Sequence, residues 1–161
     1  MSDNTGYAPI NADGSIGSWT VDSTGTLNGT SGLGAFGVSA YNGYVYLVGG
    51  SNGGGYERGV FRAPFNSDGT LGTWTEQTNI LPVAYGHNYV ITRGNNATTG
   101  NLYFIGGCQT GGGGIGCSTY YDYVYKCSIA HSDGAISGCA TTNQLQLTEG
   151  LGLMAGIYYA N

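Results

Sequence analysis

The sequence predicts an all-β fold assembled from tandem copies of one unit, and three observations carry that expectation. The first is repetition. Asp13-Gly-Ser-Ile-Gly-Ser-Trp19 returns 55 positions on as Asp68-Gly-Thr-Leu-Gly-Thr-Trp74, and in altered form as Asp133-Gly-Ala-Ile-Ser-Gly-Cys139. A second motif keeps phase with it, since Tyr46-Leu-Val-Gly-Gly50 recurs 57 positions on as Tyr103-Phe-Ile-Gly-Gly107. Periods of this length mark a propeller, a solenoid or an array, in which each unit buries its faces only against its neighbours. The second observation is the pattern between the motifs, short β-branched and aromatic runs bounded by turn residues. The third is that no 10-residue window sustains apolar spacing at i, i+3, i+4, so almost no helix is expected.

The elements follow in chain order. Residues 36–41 and 44–48 are two strands joined by Asn42-Gly43, a tight hairpin signal because both turn positions take positive φ. Residues 59–63 form the next strand, and Asp68-Gly69 opens a second hairpin. The series then repeats: strands at 88–92, 102–105 and 123–126, with Asp133-Gly134 as the closing turn. Tyr7-Ala-Pro-Ile10 matches Arg62-Ala-Pro-Phe65, and Gly156-Ile-Tyr-Tyr-Ala-Asn161 matches Gly37-Val-Ser-Ala-Tyr-Asn42. The chain therefore reads as one segment, 1–161, with repeat boundaries near 1–32, 33–84, 85–149 and 150–161.

Composition excludes several classes. With 32 Gly and only 8% charged residues the chain departs from ordinary globular usage, yet 14 Tyr and a hydrophobic fraction of 40% argue for a folded protein. A net charge of -5 with only Arg58, Arg62, Arg93 and Lys126 as basic residues leaves no footprint for a phosphate backbone, so no nucleic-acid partner is expected. No apolar stretch of about 18 residues is present, so no membrane insertion by a helix is expected. The first residues lack the basic and apolar regions of a signal peptide; an exported protein would have lost its leader.

The repeat unit resembles the kelch and kelch-like β-propeller repeats. The resemblance rests on Leu81-Pro82-Val-Ala-Tyr-Gly86-His87 before the strand at 88–92, then Leu102-Tyr-Phe-Ile-Gly106-Gly107, then Val124-Tyr125. The preceding copy supplies residues 37–41, Gly49-Gly50, Val60-Phe61 and Trp74. It covers essentially the whole chain and departs from the family where Cys139 replaces Trp and where the period exceeds about 50 residues. It implies four-stranded antiparallel blades, about two and a half of them. Closed propellers hold roughly 4 to 8 blades, so the resemblance implies a piece of a larger propeller or an oligomeric one, with self-association through open sheet edges.

Cysteines vary in step with the repeats. Cys127 occupies the place of Ala63 and Ala8, and Cys139 that of Trp74 and Trp19, so a Cys127–Cys139 disulfide is expected to replace a Trp-over-Ala contact across the hairpin. Cys108 and Cys117 occur only where the second copy carries a longer connection, containing the glycine run 111–114, and a bridge there is expected to close it. Four cysteines allow three connectivities, of which the two local pairs are favoured over free thiols. Zinc is not expected, because no Cys-x-x-Cys pair and no nearby His are present. Disulfides imply an oxidising compartment, hence an extracellular or cell-surface protein. The sequons Asn28-Gly-Thr30 and Asn96-Ala-Thr98 fit export.

Candidates for chemistry are few. Asp13, Asp68 and Asp133 belong to turns, His87 to a strand start where it satisfies backbone groups, and His131 to a solvated turn. No cofactor and no catalytic residues are expected. Galactose-oxidase-like propellers need two His and two Tyr around copper, which this spacing does not supply. Residues 67–74 are similar to a sialidase Asp-box turn, but the arginine cluster that grips a carboxylate is missing. The function expected is a non-catalytic recognition or adhesion module that binds a protein or glycan through loop tyrosines Tyr56, Tyr120 and Tyr121. A self-assembling structural propeller and a propeller-enzyme fragment lacking its active-site blades are the alternatives.

Overall fold

A computed structural model describes residues 5–22, 27, 33–52, 55–84, 86–109, 117–139 and 145–146. The last partial repeat at 156–161, the glycine run at 111–114 and the Asn28 sequon lie outside the described residues. Within them the fold is all-β, with no helix. The strands are β1 (Thr5–Tyr7), β2 (Thr20–Asp22), β3 (Gly37–Tyr41), β4 (Tyr44–Val48), β5 (Val60–Pro64), β6 (Thr75–Gln77), β7 (Tyr89–Gly94), β8 (Thr99–Ile105), β9 (Cys108–Gln109), β10 (Thr119–Tyr120), β11 (Tyr123–Ala130), β12 (Ile136–Ser137) and β13 (Leu145–Gln146).

Two antiparallel meanders dominate. The first runs β3-β4-β5-β6, the second β7-β8-β11-β12, with β13 pairing the opposite end of β11 from β12. A two-stranded hairpin, β1-β2, precedes them. Asn42 and Gly43 take φ of 49° and 77° in the β3–β4 turn, the left-handed pair that lets two-residue hairpins follow strand twist. The repeats are equivalent bond by bond. Tyr7 faces Thr20 as Arg62 faces Thr75, and the bridges Ile10–Ile16 and Phe65–Leu71 fall at the same offset of 55. In each Asp-Gly turn the aspartate oxygen accepts the amide two residues on: Ser15 at 2.9 Å, Thr70 at 2.9 Å and Ala135 at 3.0 Å. Trp74 precedes its outer strand by one position rather than lying within it.

The two meanders stack with β3 beside β7. Tyr46, Val48 and Val60 from the first sheet pack with Leu102, Phe104, Tyr125, Ile129 and Ile136 from the second in one buried core. Small residues permit that approach. A Cβ on Gly37 would lie 2.3 Å from Val90 Cγ2, and one on Gly100 would lie 2.3 Å from the Tyr41 ring. Polar groups then bridge the seam. Ser39 and Thr92 hydroxyls meet at 2.8 Å, Tyr46 donates to the Gly134 carbonyl at 3.1 Å, and Gln77 both donates to the Ile136 carbonyl and accepts its amide. His131, expected in solvent, is instead part of this seam: its Nε2 lies 2.9 Å from the Tyr41 hydroxyl and Nδ1 3.1 Å from the Ala97 carbonyl. Its turn lies at the sheet end that Tyr41 crosses, a proximity no local pattern encodes.

A second core lies on the other face of the first sheet, where Trp74 covers Ala63 beside Leu47 and Phe61. At the matching place in the second sheet stands the Cys127–Cys139 disulfide, with Cα atoms 4.3 Å apart. On β1-β2, by contrast, Trp19 is 71% exposed where Trp74 is 7% exposed.

Gly37→Ala is expected to destabilise the protein by about 1–3 kcal/mol through overpacking at the β3–β7 seam, whereas Val38→Ala, at an exposed neighbour, should stay within about 0.5 kcal/mol. Urea denaturation compares the two, and equal effects would contradict the close approach. The Asp13 carboxyl is held below its ordinary 3.8, first by the Ser15 hydroxyl and then by the Ser15 amide. A depressed folded-state value adds stability that is fully present above 3.8 and is lost as pH falls through the folded value. An NMR titration should therefore give Asp13 a pKa below 3.8, returning towards that value in Ser15→Ala.

Candidate functional site

At one end of the stacked sheets, the connections that follow β4 and β8 bring the expected loop tyrosines together. The two repeats are again equivalent here, which isolates what differs. Gly34 bridges Ser51 in the first sheet, and Gly86 bridges Cys108 in the second. Ser51 in turn bridges Tyr56, and Cys108 pairs with Tyr120. The Glu57 amide donates to the Gly50 carbonyl at 2.8 Å, and the Tyr121 amide to the Gly107 carbonyl at 2.9 Å. Ala35 and His87 share a left-handed backbone, with φ of 55° and 54°. Tyr56 and Tyr120 are thus the same residue in two copies, whereas Ala35, Ser51 and Glu57 become His87, Cys108 and Tyr121.

Tyr56 crosses from the first sheet to the second. Its ring lies over Gly86, where an added Cβ would come within 2.4 Å, and meets the His87 ring edge-on at 6.2 Å. The Tyr56 hydroxyl is 3.8 Å from Cys108 Sγ. The Cys108–Cys117 disulfide forms as expected, with Cα atoms 5.5 Å apart, and no cysteine is free. Cys108 is fully buried and Cys117 half-buried. The sequence placed no His near these cysteines, but His87 stands beside them in space, with ligand atoms of His87, Cys108 and Cys117 all within 4.8 Å of one another. The Gly86–Cys108 bridge creates that proximity across the 21 positions from 87 to 108. The paired change from Ala35 and Ser51 was the sequence signal that would have found it.

The tyrosines differ in availability. Tyr120 is 53% exposed and offers its ring to solvent. Tyr121 is half-buried, donates to Gln109 Oε1 and stacks on Tyr123 at 6.0 Å, from which the row continues through Tyr125 to Phe104. Burial pushes the Tyr56 and Tyr121 phenols up, assisted by Tyr120 for the first and by Tyr125 and Tyr123 for the second. Both remain neutral hydrogen-bonding groups at physiological pH. Tyr46 and Tyr125 are packing residues, at 0% and 3% exposure.

A separate apolar surface lies on the first hairpin, where Ile10, Ile16, Trp19 and Val21 are 65–80% exposed. Beside it, Tyr7, Pro9, Ile10, Phe65 and Gly69 line a groove of about 630 Å³. No helix among the described residues is long and apolar enough to cross a membrane. Neither a scan against protein-family models nor a search of curated proteins returns a match to this chain.

Native protein alkylated without reductant should carry no label, and reduced, denatured protein should carry four, as read by intact mass. Peptide mapping should recover the pairs 108–117 and 127–139.

Proposed function

We propose that this chain is a non-catalytic recognition module, built of kelch-like propeller blades and exposed to an extracellular or cell-surface environment. It binds its ligand through the aromatic end formed by Tyr56, Tyr120 and Tyr121. The observation that carries this reading is the meeting of Tyr56 and Tyr120 at the Cys108–Cys117 disulfide, with Tyr120 53% exposed near a Tyr56 ring braced on Gly86 and Tyr121 following Tyr120 in the chain. A disulfide-held aromatic platform is pre-organised, so little conformational entropy is lost when a ligand is seated on it. Rings that combine an apolar face with a polar hydroxyl suit stacking against the C–H faces of a sugar and hydrogen bonding to its hydroxyls. A glycan is therefore the ligand class favoured, with a protein surface as the other partner the same chemistry admits. The two disulfides support an oxidising location.

A second reading, self-assembly, has its own observation. The face that bears Trp74 in the first sheet is buried, whereas the equivalent face of the first hairpin leaves Trp19 and Ile16 open at 71% and 65%. Inside the chain such a face is covered by a neighbouring sheet, as Phe104 and Tyr125 are covered by Tyr46, Val48 and Val60. A second copy presenting a sheet of that kind would cover Trp19 in the same way, in a head-to-tail contact.

Glycan-array screening of the wild type should give a defined set of ligands. Tyr120→Ala should weaken the best of them by about 2 kcal/mol, the scale of an interface hot spot, with the thermal transition unchanged. Array binding that Tyr120→Ala leaves intact would reject the site. Sedimentation at rising concentration tests assembly, which Trp19→Glu should abolish without affecting the tyrosine end.

A further inference from the structure

The tyrosine end carries chemistry that recognition does not call for. The first sheet builds the same backbone from Ala35 and Ser51; the second places His87 and Cys108 there and adds Cys117 from its longer connection. These three changes fall at one point in space, with the ligand atoms within 4.8 Å of one another. No other group of three or more such side chains gathers in this way among the described residues; the Cys127–Cys139 pair has no comparable company. Two sulfurs and one imidazole are a donor set suited to zinc, which is bound tetrahedrally by thiolate and imidazole. In the disulfide the sulfurs are bonded to each other and cannot serve as thiolates.

We propose that His87, Cys108 and Cys117 form a zinc(II) site when their disulfide is reduced, so that oxidation and metal occupancy exclude one another. The reductant is a dithiol. It breaks the S–S bond, delivers two electrons and two protons to leave two thiols, and departs as its own disulfide. Zinc then displaces the two thiol protons to solvent and gains two Zn–S bonds and one Zn–N bond, with no change of oxidation state. Tetrahedral geometry with Zn–S of about 2.3 Å needs the sulfurs about 3.8 Å apart, a separation that rotation of the two side chains reaches from Cα atoms 5.5 Å apart. Water or the Tyr56 hydroxyl, 3.8 Å from Cys108 Sγ, takes the fourth position. This site goes beyond the recognition reading and does not rest on it.

The test is a titration with cobalt(II), a spectroscopic stand-in for zinc, followed by zinc displacement. It uses the C127A/C139W chain, which restores the first sheet's Ala63 and Trp74 pair and leaves Cys108 and Cys117 as the only thiols. After reduction with a phosphine, this chain should bind one cobalt, with thiolate charge-transfer and tetrahedral d–d bands that zinc bleaches. The oxidised chain should give neither. His87→Ala, which copies Ala35 at the same φ, should weaken binding by more than about tenfold, since losing even an outer-shell partner costs 10–100-fold. Should C127A/C139W fail to fold, reduced wild type is compared with its Cys108→Ser variant, which copies Ser51. Bands lost with Cys108→Ser support the site, and bands that survive it overturn the site. Absence of bands in the reduced chain, equal bands in the oxidised chain, or affinity unchanged by His87→Ala would each overturn it as well.

Discussion

Everything in this molecule depends on how closely two twisted sheets can approach. The seam between β3 and β7 closes because Gly37 and Gly100 leave room for the Val90 and Tyr41 side chains, each within 2.3 Å of where a Cβ would stand. Interiors pack as densely as organic crystals, so two sheets held one side chain further apart would leave the core around Tyr46, Phe104 and Tyr125 without contacts. Hydroxyl and amide groups at the seam, Thr92, Tyr46 and Gln77 among them, bond across it rather than to water. A buried polar group left unpaired costs more than its bond contributes, so these bonds select one alignment of the sheets rather than merely adding to their affinity.

The same seam explains why the repeats tolerate different contents. Each Asp-Gly turn is closed by its own aspartate, a local device that is indifferent to what packs on the sheet. With the turn secured, the place filled by Trp74 over Ala63 in one sheet accepts a disulfide in the next. A large aromatic ring excludes water by area, while a disulfide restricts the unfolded chain and occupies less volume. Both keep the outer hairpin against the sheet.

At the tyrosine end, two copies of one backbone with different side chains act as an internal control. The backbone bridges and the left-handed turn that Ala35, Ser51 and Tyr56 make in the first sheet recur in the second with other side chains. Of what the second sheet adds, His87, Cys108 and Cys117 lie together beside Tyr56 and Tyr120, while Tyr121 turns to Gln109 and Tyr123. Stable strands on both sides hold this end, so its side chains are positioned by scaffold rather than by their own loops, the arrangement in which loop residues most readily take on function.

Strand positions, the three Asp-Gly turns, the Asn42-Gly43 hairpin and both cysteine pairings were legible in the sequence, because each is set by local rules: β-propensity, positive φ at turn residues, and register within one hairpin or one connection. Covariation inside the chain extended that reach, since Cys127 and Cys139 changed together from Ala63 and Trp74. Contacts between sheets were not legible. His131 was expected in solvent and instead bonds Tyr41, 90 positions away, and His87 was expected to have no cysteine near it. Both depend on which faces stack and how far they are offset, and that is decided by side-chain volume across the seam, a sum over residues distant in sequence. Local chemistry thus determined the strands, turns and bridges of this chain, and only packing between sheets decided which of its polar and aromatic side chains meet.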